Sequence, residues 1–355
     1  MRIDKIRERL EKEKLDAIII SHLKNIRYLS NYTGSNAIIV ITDEKAYFYT
    51  DFRYKTQVEY QVPDEFEKIV ATRNLIDELK DLKISGKVGF EADHITVSKY
   101  EKLKENLEDI ELIPIKKWVE ELRGIKDNDE IENIQKAVKI TEKALEEMKK
   151  FIKPGITERE YETELQYIAK KLGADGESFS AIVASGDNSA KPHAGVGDRE
   201  FLFGDLITVD CGHYYNGYAS DLTRTFVIGE PDNTQKEIYE TVLKAQLESI
   251  AAAKEGKSGK EIDGIARKII EDAGYGEYFG HALGHSVGLD VHDGLVMSQK
   301  TDTVLKDGMV MTFEPGIYIP EFGGVRIEDD VVIRKDGAEN LTSFTKSLED
   351  MIIPI

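Results

Sequence analysis

The sequence predicts two α/β domains in tandem. The first is a compact mixed-sheet domain over residues 1–122; the second is a pseudo-symmetric α+β domain over residues 123–355. Three observations carry this. The chain's 355 residues are too many for one ordinary core and suit two. Residues 1–122 alternate short apolar runs with amphipathic stretches, the pattern of an α/β sheet. Residues 123–355 present a long helix, a capped helix and a hairpin, and then present them again.

Taken in order, Arg2–Lys14 reads as an amphipathic helix and Asp16–Ser21 as a short apolar strand. Asn36–Ile41 and Ala46–Thr50 are strands joined by the turn Thr42-Asp-Glu-Lys. Phe52–Tyr60 and Arg73–Leu82 read as helices, Lys87–Phe90 as a strand, Ser98–Leu107 as a helix and Ile110–Ile113 as a last strand. No catalytic cluster is visible in this part. The polar, glycine-containing run Leu122–Asp129 is the junction, and Asp127 or Asp129 caps the helix that follows through Lys149.

The repeat rests on matched capping boxes. Thr157 with Glu160, and Ser258 with Glu261, each pair a hydroxyl cap with a glutamate three residues on. The helices they open end at Gly173 and Gly274, and longer helices precede them at Glu130–Lys149 and Thr234–Lys254. Capping signals are common enough to coincide, but a hairpin follows each copy, which favours a true repeat with a cleft between its halves.

Composition narrows the function classes. A formal charge of −19 leaves no basic excess to displace phosphate counterions, so nucleic acid is excluded as a partner, as are anionic membrane surfaces. Residues 1–122 carry −3 of this charge and residues 123–355 carry −16. The single cysteine, Cys211, rules out an intrachain disulfide framework and a Cys-only zinc site, and fits a cytoplasmic setting. No signal peptide or membrane span is expected.

Two hairpins hold carboxylates that a solvated surface explains poorly. In the first, the Asn216-Gly217 turn would pair Tyr215 with Tyr218 and set Asp210 opposite Thr223. Asp221 then shares a face with Asp210, diagonally across the ribbon. One exposed edge with two solvated aspartates is the alternative, which the apolar neighbours Ile207, Val209 and Phe226 disfavour. In the second hairpin, Glu314 and Glu328 are equidistant from Glu321 at the loop centre, so they could face each other.

Between the hairpins, residues 279–293 hold three of the seven histidines: His281, His285 and His292. Glycines at 280, 284 and 288 argue against a helix, so His281 and His285 are not a zincin-type pair. Two Asp, two Glu and one His suit Mn²⁺, Co²⁺, Zn²⁺ or Fe²⁺ better than copper or an iron–sulfur cluster. Four carboxylates balance two divalent cations. Two such metals about 3.5–4 Å apart can activate a bridging hydroxide and polarise a carbonyl, which is the chemistry of hydrolysis.

These segments resemble the dinuclear Xaa-Pro peptidases, aminopeptidase P and prolidase, relatives of methionine aminopeptidase. The matching pieces are Asp210-Cys-Gly with Asp221-Leu-Thr-Arg-Thr, His281 to Asp293, Phe313-Glu-Pro-Gly, and Gly-Val-Arg326-Ile-Glu328-Asp. With Lys126–Ala137 at the junction, they span essentially all of 123–355. The resemblance implies a pita-bread catalytic domain behind a creatinase-like N-terminal α/β domain, which methionine aminopeptidases lack. It implies Asp210, Asp221, His285, Glu314 and Glu328 as ligands of two divalent metal ions, Mn²⁺ foremost, with Asp221 and Glu328 bridging.

The resemblance further implies Glu314 as general base, His193 near the substrate and leaving group, and His292 at the scissile carbonyl oxygen. Thr223 and Arg326 would orient ligands, and His281 would support or pack. His22, His94 and His213 match no role and read as ordinary. Leu295 stands where many relatives carry proline, and Asp293 keeps the acid of their His-Glu-x-Pro. The implied activity is removal of the residue before proline from a peptide, aminopeptidase P-like, with Xaa-Pro dipeptidase as the alternative. A homodimer is implied. A metal-free creatinase-like hydrolase and a non-catalytic pseudo-peptidase are rivals that the complete ligand set speaks against.

Overall fold

The computed structural model describes residues 2–107 and 109–354. The chain divides into two compact units, Met1–Arg123 and Gly124–Ile355.

In the first unit, α1 (Arg2–Glu13) buries Ile3, Ile6 and Leu10, one stripe at helical spacing. The strands are β1 (Ala17–Ile20), β2 (Ala37–Thr42), β3 (Ala46–Asp51), β4 (Phe66–Ala71), β5 (Gly86–Glu91) and β6 (Ile110–Ile115). They form one sheet in the order β4-β3-β2-β1-β5-β6. Its centre β1–β2–β3 is antiparallel and its flanks β3–β4 and β1–β5–β6 are parallel. The helices α2 (Leu23–Ser30), α3 (Lys55–Gln61), α4 (Leu75–Glu78), α5 (Val97–Asn106) and α6 (Trp118–Arg123) complete it. The mixed sheet matches the expectation, while α2, β4 and α6 are additions to it. The helix expected over Arg73–Leu82 is one turn of α-helix followed by a 3₁₀ turn, Leu79–Asp81.

The second unit opens on α7 (Asn128–Met148), where Asp127 caps the helix and forms a complete box with Glu130. Then come α8 (Glu158–Lys171), β7 (Gly176–Glu177), β8 (Ile182–Ser185), β9 (Leu206–Cys211), β10 (His213–Tyr215), β11 (Tyr218–Ala219) and β12 (Leu222–Ile228). The second half follows with α9 (Asn233–Ala252), α10 (Gly259–Asp272), β13 (Gly284–His285), β14 (Val296–Met297), β15 (Val310–Phe313), β16 (Gly316–Ile319), β17 (Gly323–Arg326), β18 (Asp329–Ile333) and β19 (Ala338–Asn340). A short α11 (Leu348–Met351) and β20 (Ile352–Ile353) close the chain; β20 pairs with β12.

The repeat is visible in detail. Capping boxes start α7 and α9, then α8 and α10, and the last two helices have equal length. Thr157 and Ser258 each make an isolated β-bridge, to Glu200 and Val304. One continuous core, from Ala144 to Ile353, draws side chains from both halves. The halves are stitched where their hairpins meet: Glu328 N–H donates to the Thr223 carbonyl at 3.2 Å, and Thr225 Oγ1 donates to the Arg326 carbonyl at 3.1 Å.

His213 lies fully buried in β10, its Nδ1 2.9 Å from Thr141 Oγ1. Burial pushes its pKa down to about 4. The folded imidazole therefore stays neutral where the unfolded one takes a proton. Above about pH 6.5 both states are neutral and His213 adds no pH dependence; as pH falls from there toward 4, stability is lost. His213→Asn is expected to remove roughly 3 kcal/mol of that acid loss between pH 7 and 4. Urea unfolding of both proteins across this range measures it. Parallel pH profiles would contradict the assignment.

Candidate metal centre

Local rules place the first pair of carboxylates. The ribbon turns at Asn216-Gly217, both with positive φ, pairing Tyr215 with Tyr218. The register then sets Asp210 opposite Thr223. Gly212 is required here, because a Cβ would meet the Ser220 carbonyl oxygen at 2.0 Å. In the second hairpin Phe313 pairs with Asp329 and Gly316 with Arg326. Glu314 and Glu328, between those pairs, share the same register about the Glu321 turn.

His285 enters from β13. Its backbone N–H donates to Thr312 Oγ1 at 3.0 Å, and that hydroxyl donates to Glu314 Oε1 at 3.3 Å. The approach needs Gly284, whose added Cβ would lie 2.0 Å from the Thr312 carbonyl oxygen.

Asp210, Asp221, His285, Glu314 and Glu328 all line one cavity of about 710 Å³, with His193, His281, His292 and Arg326. The structure thus brings together every sequence-selected residue except Thr223, which lies beneath and donates to Glu328 Oε2 at 2.6 Å. Arg326 spans the floor: Nη2 donates to Asp210 Oδ2 at 2.6 Å, Nε to Thr223 Oγ1 at 3.2 Å and Nη1 to Tyr318 Oη at 2.8 Å. Tyr318 Oη is also 2.9 Å from His281 Nε2, so His281 reaches the site through Tyr318.

The electrostatics are those of a cation site. Burial, then the neighbouring carboxylates Glu328, Asp210, Asp330 and Glu314, push Asp221 well above the usual range. Burial and the charges of Glu314 and Asp210 do the same to Glu328, and burial pushes Glu314 up to about 8. His285 is driven down to about 3 by burial and then by His292, so it is a neutral imidazole. Its Nδ1 faces the Ser286 carbonyl at 3.4 Å, which turns the Nε2 lone pair toward Asp221 Oδ2 at 3.6 Å and Glu314 Oε1 at 3.5 Å.

A lone pair and two carboxylate oxygens at that spacing repel one another unless a proton or a metal cation sits among them. Metal–ligand bonds of about 2.1 Å separate ligand atoms by about 3.0–3.4 Å, close to these distances. Asp221, His285 and Glu328 can each offer an atom within 4.8 Å of the others. Asp210 Oδ1 and Glu328 Oε1 are buried without a hydrogen-bond partner. Buried oxygens of this kind are costly unless satisfied, and the donor set fits divalent cations.

Several supports escaped the sequence reading. Asp330, fully buried, accepts from the Asp221 backbone N–H at 2.9 Å. It lies two residues beyond Glu328, as Thr312 lies two before Glu314, and strand parity would have found both. Tyr318 carried no local signal. Tyr214, Tyr215 and Tyr218 do not line the cavity, and Tyr218 Oη donates to Glu130 Oε1 at 3.1 Å. Cys211 is buried, and burial pushes its thiol pKa up. Asp293 pairs with Lys126 at 3.4 Å, both side chains enclosed. Leu295 N–H donates to Ser286 Oγ at 3.1 Å, a bond that a proline there could not make.

The chain is similar in sequence and fold to known proteins. Residues 132–335 match the model of metallopeptidase family M24, and residues 2–125 that of the creatinase/prolidase N-terminal domain. An Xaa-Pro dipeptidase of Pyrococcus furiosus is 41% identical over 351 residues, covering 98% of this chain and 99% of its own. Among solved structures, an Xaa-Pro dipeptidase from Bacillus anthracis superposes with a TM-score of 0.96 at 42% identity, covering 99% of each chain. An X-Pro aminopeptidase from Thermotoga maritima superposes with a TM-score of 0.90 at 38% identity, covering 98% of this chain and 100% of the other.

Proposed function

Because the chain belongs to metallopeptidase family M24 and begins with a creatinase/prolidase N-terminal domain, we propose that it is a metal-dependent exopeptidase that hydrolyses the bond between an N-terminal residue and proline. The second unit has the pita-bread fold of that family. The observation that carries the proposal is the convergence of four carboxylates and a neutral imidazole on one cavity, with two carboxylate oxygens left unpartnered.

Asp210, Asp221, His285, Glu314 and Glu328 would hold two divalent cations, Mn²⁺ foremost. When bound, such a pair supplies Lewis acidity and a nucleophilic hydroxide at neutral pH. The chain's own groups do the rest. Glu314 takes up the proton of the attacking water. His292 donates to the scissile carbonyl oxygen as charge develops on it, and His193 serves the departing proline nitrogen. Arg326 and Thr223 hold Asp210 and Glu328 in place from behind.

Substrate length is read from the cavity walls. Glu162 and Glu177 line it, and its one cationic lining side chain among the described residues, Arg326, is engaged by Asp210, Thr223 and Tyr318. A dipeptide's free carboxylate would meet acid there, which favours tripeptides and longer peptides, an aminopeptidase P-like preference. The second reading is a dipeptidase, favoured by the 41% identical relative, an Xaa-Pro dipeptidase. Kinetics on Xaa-Pro and Xaa-Pro-Xaa across Mn²⁺, Co²⁺ and Zn²⁺ test this. The larger kcat/KM is expected for the tripeptide with Mn²⁺. Dipeptide-only cleavage would establish the second reading, and cleavage of neither would overturn both. A cytoplasmic homodimer completes the proposal, supported by the family resemblance and the single buried thiol.

A further inference from the structure

The first unit contains a second histidine–carboxylate cluster, which the peptidase reading does not use. Its members come from three places: His22 just before α2, His94 on the turn after β5, and Glu120 in α6. The two imidazole rings stack face to face, centroids 3.7 Å apart and 1° from parallel. Both address the same carboxylate oxygen, Glu120 Oε1, which is 3.0 Å from His94 Nε2 and 3.9 Å from His22 Nδ1. One atom from each residue lies within 4.8 Å of the others. All three side chains are partly accessible, at 24%, 29% and 16%.

Surrounding groups hold the Glu120 carboxylate and the backbone of His22 in place. Asn25 Nδ2 donates to Glu120 Oε1 at 2.7 Å and to Glu91 Oε1 at 2.6 Å, while Asn25 Oδ1 accepts from Arg123 Nη1 at 2.7 Å. Glu91 Oε2 accepts from the backbone N–H groups of Ser21 and His22 at 2.7 and 2.8 Å, which anchors the residue bearing the first imidazole. Three donor side chains are brought from separate elements, and an outer ring of hydrogen bonds holds the carboxylate and the backbone of His22, the kind of support that metal sites use. The stacked rings hold their nitrogen lone pairs in parallel planes, so binding one ion through both imidazoles turns one ring out of the stack toward Glu120 Oε1.

We propose that His22, His94 and Glu120 form a divalent transition-metal site in the first unit, distinct from the peptidase centre. Two imidazoles and one carboxylate give it a different preference from the carboxylate-rich cavity. It selects Zn²⁺, Ni²⁺ or Cu²⁺ over Mn²⁺. A bound ion would tie the start of α2, the turn after β5 and α6 together.

The test is equilibrium dialysis of the full chain against Zn²⁺, with metal analysis, for the wild type and for His22→Ala/His94→Ala. The wild type is expected to retain about one more equivalent of Zn²⁺ than the double variant, with no difference under Mn²⁺. The same difference is expected in an Asp221→Asn background, which separates this site from the peptidase cavity. Glu120→Gln and the conservative His94→Asn, checked for folding by circular dichroism, should also lose that equivalent. Equal Zn²⁺ retention by wild type and folded variants would overturn the proposal.

Discussion

Glu314→Gln is expected to lower kcat on Xaa-Pro-Xaa peptides by about 10²–10⁴-fold, the range for losing a positioned general base. The amide keeps the size and one oxygen of the carboxylate but cannot take up a proton. Thr312 Oγ1, which donates to Glu314 Oε1, can donate equally to an amide oxygen, so the local packing survives. The substrate-facing groups His193 and His292 are untouched, so KM should change little. A fall in kcat and kcat/KM by the same factor marks an interaction made only in the transition state. Steady-state kinetics at saturating Mn²⁺, with circular dichroism to confirm folding, measure it. A kcat within about twofold of wild type would remove Glu314 from the role of base.

Arg224→Met is expected to cost about 3–5 kcal/mol of stability in the second unit. Arg224 and Asp329 form an ion pair at 2.8 Å, with side-chain exposures of 1% and 0%. The guanidinium also donates to the backbone carbonyls of Thr223, Glu328, Phe344 and Thr345, at 2.7–2.9 Å. Burial alone would raise the Asp329 pKa, yet Arg224 and then Lys346 hold it down to about 2. Methionine fills the volume but leaves the carboxylate short of a partner and four carbonyls short of a donor. For a unit of this size, each kcal/mol moves the melting temperature by about 2–4 °C, so a drop of roughly 6–20 °C is expected. Because the Glu328 carbonyl is one of those acceptors, activity should fall as well. A melting temperature within about 2 °C of wild type would show that the pair is dispensable.

What was legible in the sequence was what local chemistry specifies. Asn216-Gly217 fixes a turn, and the turn fixes which residues face each other, so the Asp210–Thr223 register followed from counting. The Glu314–Glu328 alignment followed in the same way from the Glu321 loop centre. The capping boxes at Thr157 and Ser258 are four-residue signals and exposed the repeat.

The misses were non-local. Helix α2 starts at His22 with no side-chain cap, so no start signal precedes it. Strand β4 is held by parallel pairing to β3, and its half-buried pattern lacks clean alternation. His22, His94 and Glu120 are far apart in sequence, and only the six-stranded sheet and its helices bring them together. Tyr318, which links His281 to Arg326, was invisible for the same reason.

The central claim is that the Asp210–Asp221–His285–Glu314–Glu328 cavity works only as a metal centre. The most direct measurement is Xaa-Pro-Xaa hydrolysis by the full chain, first stripped by a chelator and dialysed free of it, then titrated with Mn²⁺. The stripped protein should be folded and inactive, with activity returning in proportion to bound Mn²⁺ and saturating at two equivalents in the cavity. Full activity in the stripped protein, with no response to added metal, would contradict the account.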